Sequence, residues 1–165
     1  MIIRQAQMAD LDAIYAIELE NFSPEEAISR EILAKHIGTI PSTFLVAEKS
    51  GKILGYLEGP VRPERYLKDI SFTEDVEDYN YLAGGFISVT SLSISKEAQG
   101  LGVGKALLDT MKEIAIADER HGINLTCHDY LIAYYEKHGF VNEGPSSSTY
   151  ADEVWFDMVW ENPQI

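Results

Sequence analysis

The sequence has 165 residues, the usual size of one domain, and its 45% apolar and 24% charged residues exclude an intrinsically disordered chain. Its 13 Lys and Arg residues stand against 27 Asp and Glu residues, so the formal net charge is −14. A chain this acidic argues against nucleic acid as a partner, because phosphate contacts require a basic face. A cationic small substrate, or solubility alone, fits this charge.

The single cysteine, Cys127, rules out an intrachain disulfide and a zinc site built from cysteines, and we expect no metal. The first residues, Met1–Gln5, lack the basic and apolar regions of a signal peptide. No apolar run approaches the ~20 residues that cross a bilayer, so we expect no membrane partner. We therefore predict one cytoplasmic domain over residues 1–165.

The first part of the chain predicts a strand, two helices and a hairpin. Residues 2–6 form a short strand candidate, and the helical spacing of apolar residues over 8–20 predicts a helix. Ser23-Pro24-Glu25-Glu26 has the form of a capping box, which predicts the start of a second helix that ends at Gly38. Strands over 43–48 and 53–58 flank Lys49-Ser50-Gly51-Lys52, a hairpin signal.

Residues 59–84 are the least regular part of the chain, with two prolines and the acidic cluster 74–78. A connection of this length is usually functional or mobile. The next segment, Phe86–Ser95, carries apolar residues in alternation with one interruption. This pattern predicts a central strand that is broken by a β-bulge.

The rest of the chain alternates between helices and strands. Residues 103–119 give a strongly amphipathic helix, 123–127 a short strand, and 130–137 a short helix that Gly139 ends. Two final strands flank Ser146-Ser147-Ser148. The order β-α-α-β-β-β-α-β-α-β-β predicts a mixed-sheet α/β domain.

A glycine-rich turn, Gln99-Gly100-Leu101-Gly102-Val103-Gly104, separates the central strand from the amphipathic helix. Glycines let a ligand approach the backbone, and a helix start offers unpaired amides at the positive end of the helix dipole, which suits a pyrophosphate. The ATP-type loop GxxxxGK[ST] lacks its first glycine here, and the dinucleotide pattern GxGxxG lacks its third. The turn matches [Q/R]-x-x-G-x-[G/A] in full.

A second motif lies downstream, at Ala133-Tyr134-Tyr135-Glu136-Lys137-His138-Gly139-Phe140. Together the two motifs make the chain resemble the GNAT superfamily of acyl-CoA-dependent N-acetyltransferases, over essentially its whole length. The resemblance implies a mixed, mostly antiparallel sheet that is splayed at the central strand and flanked by four helices. It also implies acetyl-CoA as co-substrate, with CoA contacts from the central strand and the glycine turn: Leu92, Ser93, Ile94, Gln99, Gly100, Leu101, Gly102, Val103, Gly104 and Lys105.

Within the superfamily, the chain looks most like the arylalkylamine (serotonin-type) N-acetyltransferase branch. This resemblance rests on the predicted capped helix after Phe22, the insert over 62–78, Cys127-His128-Asp129, and Trp155-Phe156-Asp157-Met158. It implies direct attack of a small amine on the thioester, with Tyr135 as the general acid that protonates the CoA thiolate.

The attacking amine must lose a proton first, because a primary alkylamine with a pKa near the ~10.4 of lysine is almost fully protonated at neutral pH. The two histidines of the arylalkylamine branch fall on Ser88 and Thr90, whose hydroxyls are not useful bases. His128 and Glu58 are the substitutes that the sequence offers, and we take His128 as the candidate base. The other histidines fall on helix faces or ends, and we expect them at the surface: His36, His121 and His138.

Acidic residues in or beside the insert predict a cationic acceptor, because CoA is itself anionic and cannot use them. A solvated charge run on a mobile loop explains the same residues equally well. They are Glu58, Glu64, Asp69, Glu74, Asp75, Glu77 and Asp78.

Two other functions stay open at this point. One is a non-catalytic GNAT-fold sensor of acyl-CoA, which the missing histidines favour. The other is acetylation of a protein N-terminus or lysine, against which the long insert argues mildly, because it narrows the acceptor site. The sequence gives no oligomer signal and leaves a dimer open.

Overall fold

The computed structural model describes all of residues 1–165, and nine strands and four helices make up its regular structure. The helices are α1 (Leu11–Asn21), α2 (Arg30–Thr39), α3 (Val103–Ala117) and α4 (Ile132–Lys137). The strands are β1 (Ile2–Gln5), β2 (Phe44–Lys49), β3 (Lys52–Glu58), β4 (Val61–Arg62), β5 (Phe86–Val89), β6 (Ser91–Ile94), β7 (Gly122–Cys127), β8 (Val141–Pro145) and β9 (Phe156–Glu161).

The strands form two sheets that part at one point of the chain. One sheet has the order β1-β2-β3-β6 and the other β4-β5-β7-β9-β8, and only β5 and β7 pair in parallel. β5 and β6 are the two pieces of the predicted central strand, and the chain passes from one sheet to the other at Thr90. The expected mixed, mostly antiparallel sheet with a splayed central strand and four flanking helices is therefore confirmed.

Two apolar clusters pack the helices against the sheets. Leu45 and Ala47 of β2 belong to the cluster under α3, whereas Phe44 and Val46 belong to the cluster with α1 and α2. Successive side chains of a strand point to opposite faces, so one strand supplies both clusters. The core thus lies on both sides of β2 and β3.

The predicted start of the second helix is wrong. Ser23 begins only a single turn, in which its carbonyl accepts from the Ala27 amide at 2.8 Å. Ser29 is the real N-cap of α2, since its hydroxyl accepts from the Ile32 amide at 3.2 Å. Glu26 does not reach back to Ser23, because its carboxylate contacts a histidine 102 residues further along the chain.

The long segment 59–84 is packed against the rest of the protein. The sequence had left open that this segment is a mobile loop. Phe72 is buried and stacks on the Tyr150 ring at a centroid distance of 4.4 Å. Asp78 accepts the Val61 amide at 2.9 Å, and Arg120 donates to the carbonyl oxygens of residues 80, 82 and 84. These contacts fix the segment beside the gap between the two sheets.

The structure contains no helix with the length and apolar character that a membrane span requires.

Candidate active site

The glycine turn leaves the start of α3 without a cap. Gly100 and Gly102 have φ of +81° and +82°, a left-handed conformation that glycine adopts without strain. No side chain caps α3, and the first amide of the helix with a partner is that of Ala106, which donates to the Gly102 carbonyl at 3.0 Å. The amides of residues 102–105 therefore stand free at the positive end of the helix dipole, where an anion fits.

A groove of about 750 Å³ runs from this helix start along β6 and α4. Nine of the ten residues predicted to contact CoA line it, and the exception is Leu101, which is 71% exposed. Gly104 is needed for packing as well, because a Cβ at this position would overlap the Tyr134 hydroxyl on the opposite wall. The free amides and the size of the groove fit a CoA molecule with its pyrophosphate at α3.

One edge of β6 faces this groove without a strand partner. The Ser95 amide donates to the Leu54 carbonyl of the neighbouring chain segment at 2.8 Å. Because backbone groups alternate in direction along a strand, the amides of Leu92 and Ile94 point the other way, into the gap between the sheets. The Ile94 carbonyl is occupied by the Asn21 side chain at 2.8 Å. The Leu92 amide is therefore placed to donate to an oxyanion in the gap.

A smaller cavity of about 70 Å³ continues the groove on the other side of the gap. The two share only four residues, and these mark where they meet: Phe22, Leu92, Leu131 and Tyr135. Its walls are mostly apolar and aromatic, with Phe72, Tyr150 and Trp155, and they include the carboxylates of Glu18 and Glu26. Such a cavity suits a small group that carries a positive charge.

Tyr135 lies at the junction of the groove and the small cavity. It is 7% exposed, and its ring packs edge-on against Tyr134 and Phe140. Burial raises the pKa of the Tyr135 hydroxyl, and the nearby Cys127 thiol and Tyr134 hydroxyl add to the effect. The hydroxyl therefore stays protonated, and it can donate to a group in the gap because no group of the chain binds it.

His128 lies in the wall of the same small cavity. Its ring stacks on Trp155 at a centroid distance of 4.3 Å and on Tyr130 at 5.3 Å. Its Nε2 is 3.2 Å from Oε1 of Glu26, and the exposed Glu153 carboxylate approaches both groups. A histidine and two carboxylates are metal-ligand types, so the expectation of no metal stays a prediction. The two predicted catalytic residues, Tyr135 and His128, thus line one cavity.

Glu18 is a polar residue of this site that the sequence reasoning missed. It is 1% exposed and accepts hydrogen bonds from the Ile28 amide at 2.9 Å, from the Tyr56 hydroxyl, and from the Ser91 hydroxyl at 3.1 Å. Burial raises the pKa of Glu18, and these hydrogen bonds only partly oppose it. Its helical spacing from Ile14 is the signal that places Glu18 on the buried face of α1.

Glu58 and His36 form a fully buried pair beneath the gap. Nδ1 of His36 lies 3.0 Å from Oε2 of Glu58, and the Thr90 hydroxyl donates to Oε1 at 2.6 Å. Nε2 of His36 lies 2.9 Å from the Thr73 carbonyl. The expected surface position of His36 is therefore wrong, because the packing of α2 against β3 turns this ring into the core.

Most of the acidic residues that were expected to attract the acceptor have partners within the chain. Glu58 is buried, and four others are engaged by Arg62, Ser148, Tyr79 and the Val61 amide: Glu64, Asp69, Glu77 and Asp78. Only Glu74 and Asp75 are exposed without a cationic or hydroxyl partner for their carboxylates. Hydrogen bonds from neutral hydroxyls leave the charge of Asp69 and Glu77 in place, so steering of the acceptor by the exposed acidic residues stays a prediction.

Comparison with known proteins places the chain in a family. A family model described as "Acetyltransferase (GNAT) family" matches residues 11–140. An uncharacterized N-acetyltransferase of Methanocaldococcus jannaschii, MJ1530, is 32% identical over 112 residues, which are 68% of this chain and 57% of that protein. The uncharacterized N-acetyltransferase YkwB of Bacillus subtilis is 26% identical over 133 residues, which are 70% of this chain and 55% of YkwB.

Solved structures share the fold at lower identity. The GNAT-like decarboxylase GphF, in complex with isobutyryl-CoA, superposes with a TM-score of 0.84 at 17% identity, over 98% of this chain and all of that one. The chain spans little more than half the length of the curated relatives that it matches. The family model and the 32% identical relative agree with the fold, the groove and the free helix start. The chain belongs to the GNAT family of acetyltransferases.

Proposed function

We propose that the protein transfers the acetyl group of acetyl-CoA to the nitrogen of a small primary amine by direct attack. The observation that carries this proposal is the meeting of two cavities at Tyr135, one suited to CoA and one suited to a small cation. The scissile thioester would lie where they meet, so that amine and acetyl group approach each other through the gap between β5 and β6.

On the CoA side, the free amides of residues 102–105 would bind the pyrophosphate. Lys105 adds little charge, because its ammonium is paired with Asp109 at 2.6 Å. The Leu92 amide would donate to the carbonyl oxygen of the thioester as negative charge develops there. A donor held in place by a strand needs no reorganisation when the amine attacks.

Tyr135 would protonate the sulfur as it leaves. A tyrosine of pKa ~10 is a weaker acid than a thiol of ~8.5, so the transfer is uphill by roughly 2 kcal/mol in water. Burial raises the pKa of Tyr135, but a buried thiolate is destabilised in the same way. The newly acylated nitrogen is positively charged and loses a proton in the same reaction. This favourable proton loss offsets the remaining free-energy cost of protonating the sulfur.

The acceptor side favours a small amine over a protein N-terminus. Its cavity of about 70 Å³ admits a short head group, and its aromatic walls with two carboxylates favour an ammonium. The finer resemblance to arylalkylamine N-acetyltransferases is consistent with this arrangement. His128 and Trp155, from two of the segments that carry that resemblance, stack on each other in the cavity wall.

The test is a panel of acceptors offered together with acetyl-CoA, with thiol release measured against a control without acceptor. The panel contains 2-phenylethylamine, a polyamine, and a short peptide with a free N-terminus. We expect the small amines to give the highest kcat/KM and the peptide the lowest. CoA binding in calorimetry with no thiol release for any acceptor would instead support an acyl-CoA sensor.

A further inference from the structure

The central strand has no basic side chain at the gap, so the proton of an incoming ammonium needs another acceptor. We propose that this proton leaves through the Thr90 hydroxyl to the buried carboxylate of Glu58, which His36 supports from behind. This relay rests on the proposed acetyl transfer and makes Glu58, in place of His128, its base. Thr90 would touch the substrate, whereas His36 acts through Glu58 and is a positioning residue.

Thr90 is where the cavity and the buried pair meet. It lies at the break between β5 and β6, is half-buried, and lines the small cavity. Its one hydroxyl proton is donated to Oε1 of Glu58 at 2.6 Å, so the oxygen keeps its lone pairs for a donor in the cavity. An ammonium N–H that donates to this oxygen would be two hydrogen bonds from the carboxylate.

The geometry of His36 favours a proton between its ring and the Glu58 carboxylate. The Thr73 carbonyl can only accept, so Nε2 of His36 carries a hydrogen. In the neutral ring the lone pair of Nδ1 then faces Oε2 of Glu58 at 3.0 Å, and a proton added to the pair removes this repulsion. Burial opposes the charged form of His36, but the Glu58 carboxylate and the two hydrogen bonds outweigh it, and the pKa of His36 is raised.

Two other ionisable groups, Tyr56 and Glu18, pack around Glu58. Tyr56 of β3 is fully buried, and its pKa lies well above the ordinary value because of that burial. Glu18 of α1 already accepts three hydrogen bonds, whereas Glu58 receives only the Thr90 hydroxyl and His36.

The protons balance over the reaction. The ammonium gives one proton to Thr90 Oγ1 while the Thr90 proton moves to Glu58, and the neutral nitrogen then attacks the thioester carbon. As the carbon–sulfur bond breaks, Tyr135 delivers its proton to the sulfur, and the second proton of the acylated nitrogen restores the Tyr135 hydroxyl. Net, an ammonium and acetyl-CoA give an N-acetylamine, free CoA and one proton, which leaves the relay for solvent.

The experiment measures the dependence of the rate on the basicity of the amine. Wild type, Glu58→Gln and Thr90→Val are assayed with the most active amine of the panel and with its analogue that carries fluorine on the carbon beside the aminomethyl group. Fluorine makes the nitrogen a much weaker base, so a larger fraction of this amine is already neutral at the assay pH. Its rate therefore depends less on a group that removes a proton. We expect a kcat loss of about 100-fold or more for the ammonium substrate, and less than about fivefold for the fluorinated one.

Two further readouts separate a relay from a structural role. The relay predicts that the rise of kcat/KM with pH is shifted or lost in Glu58→Gln, and that Thr90→Ser, which restores a hydroxyl, recovers most of the rate. The KM for acetyl-CoA stays unchanged in all three variants, because neither Glu58 nor Thr90 lines the CoA groove. Thr110→Val and Glu113→Gln on α3 are the matched controls and should behave as wild type.

The outcomes are distinguishable. If wild type acetylates no amine, the proposed function fails and the relay with it. If wild type is active but Glu58→Gln and Thr90→Val keep its rate and pH profile, or lose rate equally with both amines, the relay alone is wrong. If His128→Gln abolishes the pH dependence and Glu58→Gln does not, His128 is the base and the relay is overturned. Should Glu58→Gln fail to fold, the comparison of Thr90→Val with Thr90→Ser decides.

Discussion

Gly102→Val tests the placement of the CoA pyrophosphate at the start of α3. Gly102 is the N-cap of this helix, with φ of +82°, and a Cβ at this position meets no atom within 4 Å. The substitution therefore acts through the backbone and through the groove, and not through a clash inside the protein. Valine either holds the left-handed conformation under strain or rotates the peptide and redirects the free amides.

The structure sets the magnitude of each effect. A left-handed conformation costs an ordinary residue roughly 1–2 kcal/mol, and a branched side chain no less. A hydrogen bond to a charged group contributes about 1.5–3 kcal/mol. Loss of one amide–phosphate hydrogen bond thus weakens CoA binding by at least about tenfold, since each 1.4 kcal/mol is a factor of ten.

The assay is calorimetric titration with CoA, and Gly51→Val is the matched control. Gly51 lies in the turn between β2 and β3 with φ of +78°, and its Cβ would also meet nothing within 4 Å. Both variants should lose similar thermal stability, but only Gly102→Val should lose affinity for CoA. Equal CoA affinity in Gly102→Val and wild type would refute the placement of the pyrophosphate.

Three further predictions follow from the same structure. Tyr135→Phe should lower kcat by about 100-fold with little change in the KM for acetyl-CoA or in Tm, because the hydroxyl binds nothing in the chain; a wild-type rate would make Tyr135 a packing residue. Arg65 lowers the pKa of Glu143 to about 2, so the ionised carboxylate stabilises the fold above its ordinary pKa of ~4.3 and this contribution is lost as the pH falls toward 2. Glu143→Gln should therefore flatten the acid limb of a plot of Tm against pH, and an unchanged limb would contradict the assignment. Salt screens the field of exposed carboxylates beyond about 8 Å, so neutralising Glu74 and Asp75 together should reduce the salt dependence of kcat/KM for amines. An unchanged salt dependence would show that these two residues only face solvent.

Local patterns in the sequence predict every strand except β4, three of the helices and the break in the central strand, because each depends on neighbours within a few residues. The interruption of the alternation in Phe86–Ser95 is the pattern that becomes the splay at Thr90. The start of α2 shows the limit of such patterns. Ser23 and Ser29 both satisfy the local rule for an N-cap, and the contact that engages the Glu26 carboxylate, with His128, is remote in the sequence.

The site is predicted unevenly for the same reason. The glycine turn and Tyr135 belong to contiguous motifs, so the sequence alone marks them as candidates. The Glu58–His36 pair depends on how α2 packs against β3. The sequence suggested a surface position for His36, and for Glu58 it suggested either a substitute base or a carboxylate that attracts the acceptor. The helical spacing of Leu33, His36 and Ile37 does place this histidine on a buried face, but only the packed structure shows the carboxylate opposite it.

The most direct test of acetyl transfer by direct attack is mass spectrometry of a reaction that contains the protein, acetyl-CoA and the most active amine. We predict that N-acetylated amine and free CoA form in equal amounts, that neither forms without the protein, and that the mass of the protein stays unchanged throughout. An acetylated protein that forms before the amine is added and then passes its acetyl group on, or CoA release that does not depend on the amine, would contradict the mechanism.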